Sequence, residues 1–120
     1  MILVDTSVWV DHLRSSDLAL AAALDARRVL SHPFVIGEIA CGNLRHRGEI
    51  LELLGRLPSA PVATHPETLR FVEQRALFGR GIGFVDVHLL VATTLASPAR
   101  LWTRDRRLAA VAAEFDLGHE

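Results

Sequence analysis

An α/β fold on a mostly parallel sheet is predicted by three features of the chain. Short apolar runs alternate with longer helical stretches. The runs are continuous rather than alternating in polarity, as in strands covered on both faces. Half of the 120 residues are hydrophobic, chiefly Ala, Leu and Val with no Tyr, which suits helices packed around a short sheet. The length favours a single domain, residues 1–120, with one core.

Taken in order, the apolar run Ile2–Val4 reads as a buried strand ended by Asp5. Ser7 is placed to cap a helix reaching about Leu13. Residues 17–28, rich in Ala and Leu, predict a second helix, and residues 29–31 a second strand. Pro33 suits the first turn of a helix running to about Gly42. Residues 49–57 predict a helix whose apolar side carries Ile50, Leu51, Leu53, Leu54 and Leu57. Pro58 and Pro61 break the chain around a third short strand near Val62 and Ala63. Residues 66–78 follow as a helix with Leu69, Val72 and Ala76 on one face. The run GRGIG, residues 79–83, is a loop, and residues 84–95 form an apolar helix stopped by Pro98. Residues 101–103 predict a strand, residues 105–115 the last helix, and Leu117 the start of a short final strand. In open parallel sheets the ligand site lies beyond the carboxyl ends of the strands, where Asp5 and Asp105 would emerge.

Composition removes several chemistries. A net charge of −1 is not that of a protein that coats nucleic acid through bulk positive charge, so any such contact is local. All 13 basic residues are Arg. Arginine is the better side chain for bidentate phosphate contacts, although a compositional bias toward Arg and Ala is the fuller explanation of its abundance. Without Lys there is neither a Walker-type phosphate loop nor Schiff-base catalysis. The single cysteine, Cys41, excludes an internal disulfide and a Cys-based zinc site; its apolar surroundings predict a buried, inert thiol. Met1 leads straight into the first strand with no basic leader, and no apolar run approaches the ~20 residues of a membrane span, so a soluble cytoplasmic protein is expected.

Three acidic residues interrupt apolar sequence: Asp5 ends ILVD, Glu38 lies in FVIGEIACG, and Asp86 lies in GIGFVDVHLLVA. An unpaired carboxylate withdrawn from water costs several kcal/mol or is neutralised. No Lys exists and no Arg falls within these runs, so the neighbouring sequence offers no counter-charge. A divalent cation would, and Asp and Glu oxygens suit Mg²⁺ or Mn²⁺. Each acid also has a purely structural alternative. Asp5, Asp86 and Asp105 are natural helix caps, and Glu38 has the option of reaching solvent or a distant Arg.

The segments MILVDTSVWVDHLR, FVIGEIACG, GIGFVDVHLL and LWTRDRRL together resemble the PIN-domain nucleases and, more closely, the VapC toxins of bacterial VapBC toxin–antitoxin pairs. The resemblance runs from Met1 to about Leu117. It implies a three-layer α/β/α sandwich with a central, mostly parallel sheet. It implies that Asp5 and Asp86 hold Mg²⁺ or Mn²⁺ most directly and that Glu38 and Asp105 complete a four-carboxylate catalytic cluster, often through water. Ser7 and Thr103 match small hydroxyl positions lining the site. The implied activity is metal-dependent endoribonuclease action on tRNA, rRNA or mRNA, leaving 5′-phosphate and 3′-hydroxyl ends. The implied partners are a VapB-type antitoxin, laid across the active site, and a second copy in a homodimer.

Arg80, in the loop before Asp86, and Arg104, beside Asp105, are candidates for gripping RNA phosphates, as against a merely solvated arginine face. The histidines show no metal-ligand spacing; His88 reads as structural or as part of the rim, and Trp9 and Trp102 as core. Three rival functions fit the sequence less well. A phosphatase of the haloacid-dehalogenase type would need a second Asp where Ser7 stands, and a phosphorelay receiver would need a Lys. A catalytically silent PIN module acting by partner binding is disfavoured by the presence of all four acids.

Overall fold

The central strand, β1 (Ile2–Val4), is flanked by β2 (Val29–Leu30) and β3 (Arg100–Trp102) in the order β2-β1-β3, all parallel, in a computed structural model that describes residues 1–119. Ile2 stands opposite Val29 and Arg100, and Leu3 opposite Leu30 and Leu101. Single parallel bridges widen the sheet at both edges, Ser31 with Ser59 and Leu101 with Gly118. Successive residues of a strand face opposite sides, yet Leu3 and Val4 are both wholly buried. The sheet is therefore covered on both faces, as in an α/β sandwich.

The covering helices are α1 (Thr6–Arg14), α2 (Leu18–Asp25), α3 (Pro33–Ala40), α4 (Arg47–Arg56), α5 (His65–Gln74), α6 (Phe84–Leu95) and α7 (Arg106–Glu114). In α6 every residue from Val87 to Thr93 is buried, which is why its sequence is apolar all round. The core joins Leu3, Val4 and Leu101 of the sheet to Leu89 and Leu90 of α6 and Leu108 and Val111 of α7.

Several local expectations are corrected. No strand forms near Val62 and Ala63; the edge pairing falls earlier, with Ser31 N donating to Pro58 O and Ala60 N to Ser31 O, both at 2.8 Å. Pro61, lacking an N–H, cannot extend that ladder. The first helix starts at Thr6 with Asp5 at the N-cap position, because the Ser7 hydroxyl is committed elsewhere. The second helix stops at Asp25, and Arg27 takes a left-handed φ of 56°. Its true cap is Asp17, whose carboxylate accepts Leu20 N–H at 2.9 Å. On α5 the buried face is Thr68 and Phe71, whereas Leu69 is exposed. At the C-terminal edge Leu101 N donates to Leu117 O at 2.7 Å, but the pairing is one bridge rather than a strand. Cys41 follows the last turn of α3 and is exposed, not buried. Trp9 is core, whereas Trp102 is only half-buried, its ring 5.2 Å from that of His119. Among the described residues no helix is long and apolar enough to cross a membrane.

Candidate active site

The carboxyl ends of β1 and β3 lie side by side, because Asp5 N donates to Trp102 O at 2.9 Å. This brings Asp5, directly after β1, to Thr103 and Asp105, just after β3. Asp5 is 6% exposed. Its Oδ2 accepts two hydroxyl protons, from Ser7 and from Thr103, each at 2.8 Å. The same hydroxyls each accept a main-chain N–H from the following loop: Arg104 N reaches Ser7 Oγ at 3.0 Å, and Asp105 N reaches Thr103 Oγ1 at 3.1 Å. Both hydroxyl protons are thus spent on one oxygen of Asp5, so the 3.4 Å approach of Ser7 to Thr103 is a contact of two acceptors.

The other acids are anchored by the same economy of one oxygen each. Asp105 caps α7 through Oδ1, which accepts Arg107 N at 2.9 Å and Leu108 N at 3.0 Å. Asp86, in the first turn of α6, accepts Gly83 N on Oδ2 at 3.0 Å. Glu38, exposed near the end of α3, accepts the Thr6 hydroxyl on Oε1 at 2.7 Å. The structural roles that the sequence left open are therefore real for Asp86 and Asp105, but each consumes a single oxygen. The second oxygen of all four acids has no donor among the described residues.

Burial lifts the Asp86 carboxyl above the usual Asp value; the Gly83 N–H opposes this, and the charges of Asp5, Asp105 and Glu38 add to it. Asp5, Asp105 and Glu38 thus each lie within electrostatic reach of Asp86. Among the described residues no arginine or histidine pairs with any of them: the ion pairs join Arg56 to Glu52, Arg80 to Glu114, Arg100 to Asp116, and Arg104 to both Asp11 and Asp17. No three acidic, His or Cys side chains among the described residues close into a ready cage for one ion. Magnesium asks for less, taking one or two carboxylates and keeping several waters, so an open set of anchored carboxylates with spare oxygens fits such an ion.

The two arginines singled out in the sequence are both engaged. Arg80 meets Glu114 at 2.6 Å. Arg104 bridges Asp11, at 2.5 Å, and Asp17, and lies over the Trp102 ring at 5.9 Å. No sequence signal reveals this, since the partners stand 93 and 87 positions away. His88 is buried among rings, with Phe34 at 4.7 Å and Phe84 at 4.9 Å. Behind it lies His32, fully buried at the N-cap of α3, where Nδ1 accepts Phe34 N at 3.0 Å and Nε2 has no partner. Burial, with His88 adding to it, pushes His32 down to about 4.

Parallel strands covered on both faces by helices, with Asp5 and Asp105 past the carboxyl ends of β1 and β3, agree with a PIN domain. Residues 2–114 match the PIN-domain family profile, and the chain belongs to that family. Within it, the chain is 51% identical over 114 residues to Ribonuclease VapC32 of Mycobacterium tuberculosis, in the strains CDC 1551 / Oshkosh and ATCC 25618 / H37Rv alike. The match spans 95% of this chain and 92% of each relative.

Proposed function

We propose that this chain is a divalent-metal-dependent endoribonuclease, the toxin of a VapBC-type toxin–antitoxin pair. The observation that carries the reading is the set of four carboxylates, each fixed through one oxygen, with no donor to the other oxygen and no paired cation among the described residues. The 51% identity to a protein named a ribonuclease supports the substrate class.

In this reading Asp5 and Asp86 hold Mg²⁺ or Mn²⁺ directly, and Glu38 and Asp105 act through water. When bound, such an ion supplies positive charge to the scissile phosphate and acidifies an attacking water. The chain's own part is orientation. Ser7 and Thr103 lock Asp5 Oδ2 and so turn Oδ1 toward the ion, the Gly83 N–H does the same for Asp86, and the Thr6 hydroxyl for Glu38. No side chain serves as the nucleophile, in keeping with the spent hydroxyl protons of Ser7 and Thr103. The family resemblance extends the proposal to cytoplasmic action, a homodimer and a VapB-type antitoxin. An apolar groove lined by Trp9, Leu13, Leu24, Ile50, Leu54 and Leu57 offers surface to such a partner segment.

The test is cleavage of total cellular RNA by antitoxin-free protein in Mg²⁺ or Mn²⁺. Discrete fragments that vanish with EDTA and in Asp86→Asn are expected. A folded, antitoxin-free chain that cuts nothing with either metal would leave the silent binding module as the better reading.

A further inference from the structure

A phosphodiester strand entering a site of four carboxylates meets like charge, so a cation at the rim has a physical task. Arg80, Arg100 and Arg104 are each already paired with a carboxylate. An arginine so engaged must give up one anion to take another. Arg107 is placed differently. Its main-chain N–H donates to Asp105 Oδ1 at 2.9 Å, so its backbone is part of the acid cluster's scaffold. Its side chain is exposed and has no hydrogen bond or ion pair among the described residues. It does not trail into solvent at random. It lies on the backbone of Gly81, where an added Cβ would stand 2.7 Å from both its Cδ and its Nη1.

Gly81, at φ +79°, is two residues before Gly83, whose N–H holds Asp86. The Arg80–Glu114 pair pins the same loop to the far end of α7. Arg107 therefore spans from the residue that caps α7, Asp105, to the loop that presents Asp86, with its guanidinium uncommitted. The absence of a side chain at residue 81 is what admits it.

We propose that Arg107 takes a backbone phosphate of the RNA strand next to the carboxylate cluster, and that Gly81 is the seat on which it is held. The proposal deepens the nuclease reading and rests on it for the nature of the strand. A guanidinium binds phosphate through paired N–H groups, which an ammonium cannot reproduce.

The experiment measures binding of a short fluorescein-labelled single-stranded RNA to the whole protein by anisotropy, with Ca²⁺ in place of Mg²⁺, over a range of salt. Arg107→Ala is expected to weaken binding about tenfold and to lower the salt slope by ~0.7, the value for one phosphate contact on a single strand. Arg107→Lys should restore the slope but only part of the affinity, and Gly81→Ala should lose affinity with Arg107 still present. Arg106→Ala, which removes the same charge one position away, should change binding by less than about twofold. Equal losses in Arg106→Ala and Arg107→Ala, an unchanged slope in a folded Arg107→Ala protein, or no RNA binding by the unaltered chain would each overturn the proposal. Cleavage of total RNA by the unaltered chain reports separately on the nuclease reading. A chain that binds RNA through Arg107 yet never cuts it keeps the phosphate seat and loses the nuclease.

Discussion

Thr103 Oγ1 donates to Asp5 Oδ2 at 2.8 Å, joining the ends of two strands whose residues lie 98 positions apart in the chain. The same oxygen accepts the Asp105 N–H, so one hydroxyl sets the position of two acids. Thr103→Val keeps the shape and removes both bonds. It should cost about 1–2 kcal/mol of stability in urea unfolding, since one acceptor is a carboxylate. It should also lower kcat at least tenfold with little change in KM, because a loosened carboxylate affects the transition state more than strand binding. Thr103→Ser should restore both quantities. Full kcat in the valine variant would remove the hydroxyl from the account.

Asp86 carries a pH dependence whose sign follows from its raised pKa. A carboxyl lifted in the folded state is harder to ionise there than in the unfolded chain, so without a cation stability falls as the pH rises from the unfolded pKa of 3.8, and the loss is complete above the folded pKa. At pH 7 in EDTA, Asp86→Asn should melt higher than the unaltered protein. Identical melting temperatures in EDTA would contradict the charge crowding at this site.

His32 acts in the opposite sense. Its folded pKa of about 4 lies below the ordinary histidine value of 6.5, so its neutral form contributes stability that is complete above pH 6.5 and fades as the pH falls toward 4. Over that window the loss is about 3 kcal/mol, as an order of magnitude. The physical event is protonation of Nδ1, which accepts the Phe34 N–H at the start of the helix bearing Glu38. His32→Asn keeps a cap acceptor and removes the titration. Unfolding at pH 7 and pH 5 should show a smaller difference for that variant than for the unaltered chain.

Arg104 is expected to hold structure rather than RNA. Its two carboxylate partners tie the segment after β3 to α1 and to the cap of α2. Arg104→Ala should lower the thermal midpoint by a few degrees, as exposed ion pairs contribute little singly. The salt slope of RNA binding should not move. A reduced slope would return Arg104 to the phosphate contacts.

The strands were legible because a parallel strand buried on both faces has to be apolar throughout, and Ile2–Val4 is. Asp5, Glu38 and Asp86 stand out as candidates because they break such apolar runs, whereas Asp105, set among arginines, is singled out only by its place after a strand and by the family resemblance. The edge pairings at Ser59 and Gly118 were not, since a single bridge needs one or two backbone groups and leaves no pattern in side chains. Caps were misassigned where two candidates compete: the Ser7 hydroxyl goes to Asp5, so Asp5 takes the cap position. Arginine partners were out of reach because they depend on which helices meet in space. The exposed ones named from sequence, Arg80 and Arg104, turned out to be paired, while Arg107 became distinct only through its contact with Gly81.

The proposed site stands or falls on whether the four carboxylates bind a divalent ion. Its most direct test is a calorimetric titration of metal-free protein with Mn²⁺, beside Asp5→Asn and Asp86→Asn. Saturable binding by the unaltered chain, lost or weakened at least tenfold in both variants while their folds persist, is the predicted result. Equal binding by all three proteins, or none by the unaltered chain, would contradict it.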